Sequence, residues 1–100
     1  MKREGYQVKH IVVLPGESLS LQLHHRRREY WTVIAGKGVA TCDDQEITLN
    51  VNDSISIPLG SKHKLANPFF EPVEIIEVQS GDYLGEDDIE RFEDKYGRLK

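Results

Sequence analysis

Apolar and polar positions alternate with a period of two over short stretches of this chain, and turn residues separate the stretches. Tyr6 to Leu14 is rich in valine and isoleucine and stops at Pro15-Gly16, so it reads as a first strand. Ser18 to His24 alternates strictly, with Leu19, Leu21 and Leu23 on one face and Ser20, Gln22 and His24 on the other. Further strands are predicted at Tyr30 to Ala35, Val39 to Cys42, Glu46 to Leu49, Asp53 to Ile57, His63 to Ala66 and Val73 to Gln79. Gly36-Lys37-Gly38, Asp43-Asp44-Gln45, Pro58-Leu59-Gly60 and Asn67-Pro68 punctuate them. Only Glu86 to Lys95 departs from this pattern, because Ile89 and Phe92 lie three apart among acids, which predicts a short amphipathic helix. The expectation is an all-β fold, a single antiparallel barrel over residues 1–100 with that helix at its end.

Composition narrows the picture. A chain of 100 residues and 11.5 kDa is sized for one core. Cys42 is the only cysteine, so no internal disulfide forms, in keeping with a reducing compartment. No apolar run approaches the roughly 20 residues of a membrane span, and Met1-Lys2-Arg3-Glu4 leads into polar sequence. A cytoplasmic protein with no membrane association is expected. The formal net charge of −4 argues against general affinity for nucleic acid. Acids crowd the stretch from Asp82 to Asp94, where only Arg91 opposes them, whereas Arg26, Arg27 and Arg28 gather the basic surplus beside His24, His25 and Glu29.

That neighbourhood carries the candidate chemistry. Gln22 and His24 project from the same strand face about 6.6 to 6.8 Å apart, close enough for both to reach one ion. Glu29 follows across a bend, and Pro58-Leu59-Gly60-Ser61-Lys62-His63 delivers another histidine from a different hairpin, with Asn67 four residues on. Two imidazoles, a carboxylate and an amide oxygen could close around a divalent cation.

These residues resemble the two motifs of the cupin superfamily of small β-barrels. Gly16, Gln22, His24, Glu29 and Gly36 match the first motif at every position but one, where Gln22 replaces a histidine. Pro58, Gly60, His63 and Asn67 match the second without departure. The resemblance makes Gln22, His24, Glu29 and His63 the metal ligands. A closer similarity, to the type II mannose-6-phosphate isomerase domain, runs through Tyr6 to Lys9, Pro15 to Gln22, Arg27, Glu29 to Trp31, Pro58 to Gly60, Ile75 to Gly81 and the tail from Tyr83 to Arg98. That domain usually ends bifunctional enzymes that also carry mannose-1-phosphate guanylyltransferase activity. The family typically shows histidine where this chain has Arg26 and Tyr30, and the Arg-Pro-Trp-Gly signature of its longer members is missing before Tyr6. No glycine-rich nucleotide loop is present either, so the guanylyltransferase is not implied.

The resemblance implies metal-dependent interconversion of mannose 6-phosphate and fructose 6-phosphate. The metal would polarise the sugar carbonyl while a base shuttles one proton. His25, Tyr30 and Glu77 are the candidate bases. Arg27 is the first choice for the phosphate and Lys62 the second, since a planar guanidinium suits phosphate oxygens. Trp31 is read as core packing. Zinc, manganese, iron, cobalt and nickel all suit imidazole with oxygen ligands. A catalytically silent sugar-phosphate sensor and a metal-dependent oxygenase are the alternative functions. Cupin resemblance further suggests a homodimer built by sheet-to-sheet contact, in which the Leu19, Leu21 and Leu23 face either packs inside or meets the partner copy.

Overall fold

A computed structural model describes residues 2–3, 5–85 and 87–92. Among the described residues ten strands run in chain order: β1 (Lys2–Arg3), β2 (Tyr6–Val13), β3 (Gln22–Leu23), β4 (Arg27–Ala35), β5 (Gly38–Cys42), β6 (Gln45–Leu49), β7 (Ser54–Ile57), β8 (His63–Ala66), β9 (Val73–Gly81) and β10 (Glu90–Arg91). They form two five-stranded antiparallel sheets, ordered β1-β2-β9-β4-β7 and β10-β3-β8-β5-β6. The fold is all-β, and no helix among the described residues is long and apolar enough to cross a membrane.

Strand register sorts the interior into levels. On the first sheet, Val13 opposes Val73 and Ile11 opposes Ile75, which also pairs with Val33. At the next level Lys9, Glu77 and Trp31 pair in a row, and after it Gln7, Gln79 and Glu29. On β8, Leu65 and His63 repeat the change from apolar to polar. Each inward face thus starts apolar and becomes polar at a common height, so the space between the sheets divides in two. One end holds the dry core of Val13, Trp31, Val33, Ala40, Leu49, Ile57, Leu65, Val73 and Ile75, with Ile11, Leu19 and Ile55 against it. The other end is a polar cavity.

Gly36 shows how tightly β4 and the start of β9 are joined. Its φ of 76° lies in the left-handed region, and a β-carbon there would stand 2.1 Å from the carbonyl oxygen of Pro72. The bulge between Val33 and Ala35 comes just before it.

Two expected elements differ. The alternating stretch from Ser18 to His24 is not one strand: Ser18 forms an isolated bridge with Ala66, and only Gln22–Leu23 continues as strand. The amide of Leu19 donates to the Leu65 carbonyl and that of Phe92 donates to Leu21, so the chain spends its hydrogen bonds on two neighbours and loses strict alternation. Leu19 consequently packs toward the core, while Leu21 and Leu23 are half-buried. The second difference is the short terminal helix. Residues 87–92 form a turn followed by β10, which pairs with β3 through Glu90–Leu23 and Arg91–Gln22, while residues 86 and 93–95 lie outside the described part. Cross-strand partners for the backbone, together with carboxylate contacts from Asp88 to the amides of His25 and Arg26, outweigh the helical spacing of Ile89 and Phe92.

Candidate metal centre

His24, Glu29 and His63 reach the cavity from β3's end, β4 and β8. One ligand-type atom of each lies within 4.8 Å of the others. Their exposures are 3%, 5% and 3%, which places all three out of bulk solvent. The turn between β7 and β8 holds the two histidines in relation to each other, since the Gly60 amide donates to the His24 carbonyl at 2.9 Å. Each ring is then oriented through Nδ1. His63 Nδ1–H donates to the Ser61 carbonyl at 3.0 Å and His24 Nδ1–H to the Asp88 carbonyl. Both Nε2 atoms turn toward Glu29, at 3.2 Å from His24 and 3.7 Å from His63.

The carboxyls of the site are unlike each other. Burial opposes ionisation of Glu29, but the His24 ring, the charge of His63 and the Trp31 indole N–H at 2.9 Å outweigh it and hold the carboxyl at about 2. Burial and then the negative charge of Glu29 push Glu77 the other way, up to about 7. Gln79 donates to Glu77 and accepts from Gln7 at 2.9 Å, so the amides brace that carboxyl from one side. Burial, against the pull of Glu29, depresses the basicity of His63, which favours its neutral, electron-donating form.

The donor chemistry fits a divalent cation. Two imidazole nitrogens fixed through their far N–H groups and one ionised carboxylate converge from separate strands, which is how metal-ligating histidines are ordinarily oriented. Gln22 lines the same cavity and pairs in register with His63, its amide N–H donating to the Ser20 carbonyl at 3.4 Å. One further contact bears on the fit. Arg27 Nη2 donates to His24 Nε2 at 3.0 Å, and its Nε lies 3.6 Å from Glu29. Because a neutral imidazole has one free lone pair, that hydrogen bond and a metal bond at the same nitrogen are alternatives.

The cavity, about 160 Å³, is also lined by Lys9, Ile11, Leu19, Trp31, Lys64, Glu77, Gln79, Ile89 and Arg91. Of the three expected bases only Glu77 reaches it. His25 is exposed and meets Glu90, because the residue after His24 points outward. Tyr30, 46% exposed, faces out from β4 between the inward Glu29 and Trp31. Lys62 is likewise exposed, its ammonium over the Phe92 ring at 4.4 Å, so strand parity turns it away where it admits its neighbour His63. Arg27, in contrast, is buried inside. Asn67 is structural, donating to the Val13 carbonyl at 2.9 Å and the Glu71 carbonyl at 2.7 Å. Trp31 packs in the core as expected and also holds Glu29 and meets the His63 ring edge-on.

Lys9, Gln79 and Arg91 were missed. The parity of Val13 and Ile11 already points Lys9 inward, and that of Val73 and Ile75 does the same for Gln79. Arg91 could not be found so long as its segment read as a helix.

Comparison with known proteins agrees with this geometry. The alginate biosynthesis protein AlgA of Pseudomonas aeruginosa is 61% identical over 93 residues, 93% of this chain and 19% of that protein. A mannose-1-phosphate guanylyltransferase of Escherichia coli K12 is 54% identical over 96 residues, 96% of this chain and 20% of that protein. The chain therefore spans about a fifth of the length of these curated relatives. Among solved structures, a conserved Klebsiella pneumoniae protein with a double-stranded β-helix domain superposes with a TM-score of 0.82 at 20% identity, covering 94% of this chain and 80% of the other. That architecture is the cupin barrel. The family described as Mannose-6-phosphate isomerase C-terminal matches residues 1–94, and the chain belongs to it.

Proposed function

We propose that this chain is a metal-dependent isomerase interconverting mannose 6-phosphate and fructose 6-phosphate, with His24, Glu29 and His63 holding the cation and Gln22 as a further donor. The observation that carries the reading is the convergence of three buried ligand side chains within 4.8 Å, in a chain of this family. A divalent ion there supplies Lewis-acid polarisation of the sugar carbonyl and its neighbouring hydroxyl. The protein's own part is proton transfer. Glu77, alone among the three candidate bases, faces the cavity. It takes the proton from the carbon next to the carbonyl and returns it to the former carbonyl carbon, while the hydroxyl proton passes from one oxygen to the other, so the sugar is neither oxidised nor reduced overall. Lys9, paired with Glu77 across β2 and β9, supplies positive charge beside the base. Arg27, buried with its Nε 3.6 Å from Glu29, supplies fixed positive charge where negative charge develops on the reacting oxygens.

Two departures from the family pattern fall outside the cavity. Arg26 and Tyr30, which stand where relatives carry histidine, both lie on the exterior, so these exchanges leave the cavity lining unchanged. The reading also joins two copies through the outer face of the first sheet, where Val8, Val78 and Tyr30 pair in one row and Val12 and Ile34 are exposed nearby.

The test is to strip the purified protein of metal, restore single divalent ions and follow fructose 6-phosphate formed from mannose 6-phosphate. Turnover that needs metal and disappears in His63→Ala is expected. Turnover indifferent to both treatments overturns the assignment, and oxygen uptake in its place would identify an oxygenase.

A further inference from the structure

The segment 87–92 contributes Ile89 and Arg91 to the cavity lining and is pinned on both sides. The Asp88 carbonyl accepts from the His24 ring. The Asp88 carboxylate accepts from the amides of His25 at 3.0 Å and Arg26 at 2.8 Å. Glu90 meets His25, and the Phe92 amide donates to the Leu21 carbonyl at 2.7 Å. With the Tyr83 hydroxyl donating to Asp87, these contacts engage all three acids of the segment, none of which lines the cavity. They present Arg91 on the inner face, because Arg91 opposes Gln22 and Gln22 opposes His63. Arg91 lines the cavity yet is exposed, which places it at the mouth.

Size and the place of the ligands direct a substrate the same way. At about 160 Å³ the cavity is well below the roughly 300 Å³ at which pockets begin to enclose a drug-sized ligand, so part of a hexose phosphate stays at the opening. The candidate ligands His24, Glu29 and His63 are buried inside, so the carbonyl end that their cation would polarise enters first and the phosphate remains outside.

We propose that Arg91 is the phosphate clamp at the mouth, a specificity-determining residue that β10 carries into place. This rests on the sugar-phosphate reading above. A guanidinium forks onto two phosphate oxygens, and its partial exposure keeps it accessible to an arriving anion.

Titration calorimetry with mannose 6-phosphate, mannose and inorganic phosphate, on wild type, Arg91→Ala and Arg91→Lys, tests this. Arg91→Ala is expected to weaken mannose 6-phosphate and inorganic phosphate roughly ten-fold or more while leaving mannose unchanged, with Arg91→Lys in between. Unaltered affinity for the phosphorylated sugar, an equal loss for mannose, or a wild type that binds the phosphorylated sugar no better than mannose overturns the clamp. The two readings fail separately. Arg91-dependent binding with no fructose 6-phosphate formed defeats the isomerase alone, and turnover with an unchanged KM in Arg91→Ala defeats Arg91 alone.

Discussion

Glu29 and Glu77 share one hydrogen-bonded neighbourhood and are pushed apart, to about 2 and about 7. Each shift makes stability depend on pH, with opposite sign. Glu29 ionises more easily folded than unfolded, so its contribution is present above about pH 4.5 and lost as the pH falls toward about 2. Glu77 holds its proton longer when folded, so its contribution is full below about pH 4.5 and is lost as the pH rises to about 7. Either window spans on the order of 3 kcal/mol. Depressed His63 contributes with the opposite sign in this window, so the test is a difference: between about pH 4.5 and 7 the denaturant midpoint of metal-stripped Glu77→Gln should gain on that of wild type as the pH rises; a slope identical in the variant would contradict the placement of Glu77. With metal restored, the same variant should lose turnover by about a hundred-fold or more while keeping metal affinity, as expected of a base.

At the level of elements, strand parity decides which residues meet. Arg27, Glu29, Trp31 and Val33 alternate inward along β4, so three chemically different side chains and one core residue follow from a single periodicity. That much was legible: the strands from Tyr6 to Val73 lie close to where alternation and turn residues put them, and His24, Glu29 and His63 follow from the two motifs. The short pieces were not legible. Glu90–Arg91 is a strand because it finds Gln22–Leu23, which itself pairs with β8 through His63, long-range choices that override local spacing. His25 and Lys62 looked promising through sequence adjacency to ligands, but adjacency in a strand means opposite faces. Junctions are less forgiving than strands. Gly36→Ala combines a left-handed φ with a 2.1 Å clash on backbone, and should lower stability by about 2 kcal/mol or more. A thermal midpoint within a degree of wild type would show that the junction relaxes easily.

Across the whole molecule, the interior is partitioned into a dry half that stabilises and a polar half that holds the candidate site, with Trp31 at the boundary belonging to both. Leu65→Ala, in the dry half, should cost about 2 to 5 kcal/mol while the surviving folded fraction keeps its metal affinity. On the outside, Val78→Glu in the apolar row of the first sheet should convert a dimer to a monomer by sedimentation, and a wild type that sediments as a monomer would remove that interface. The most direct measurement is of the cation itself. Titrating metal-stripped protein with cobalt(II), followed by its visible absorption, should show one ion bound. Turnover of mannose 6-phosphate should rise in step with occupancy, and His24→Ala, Glu29→Gln and His63→Ala should each weaken binding by roughly ten-fold or more. Binding unaffected by all three substitutions, or full turnover in the stripped protein, would contradict the account.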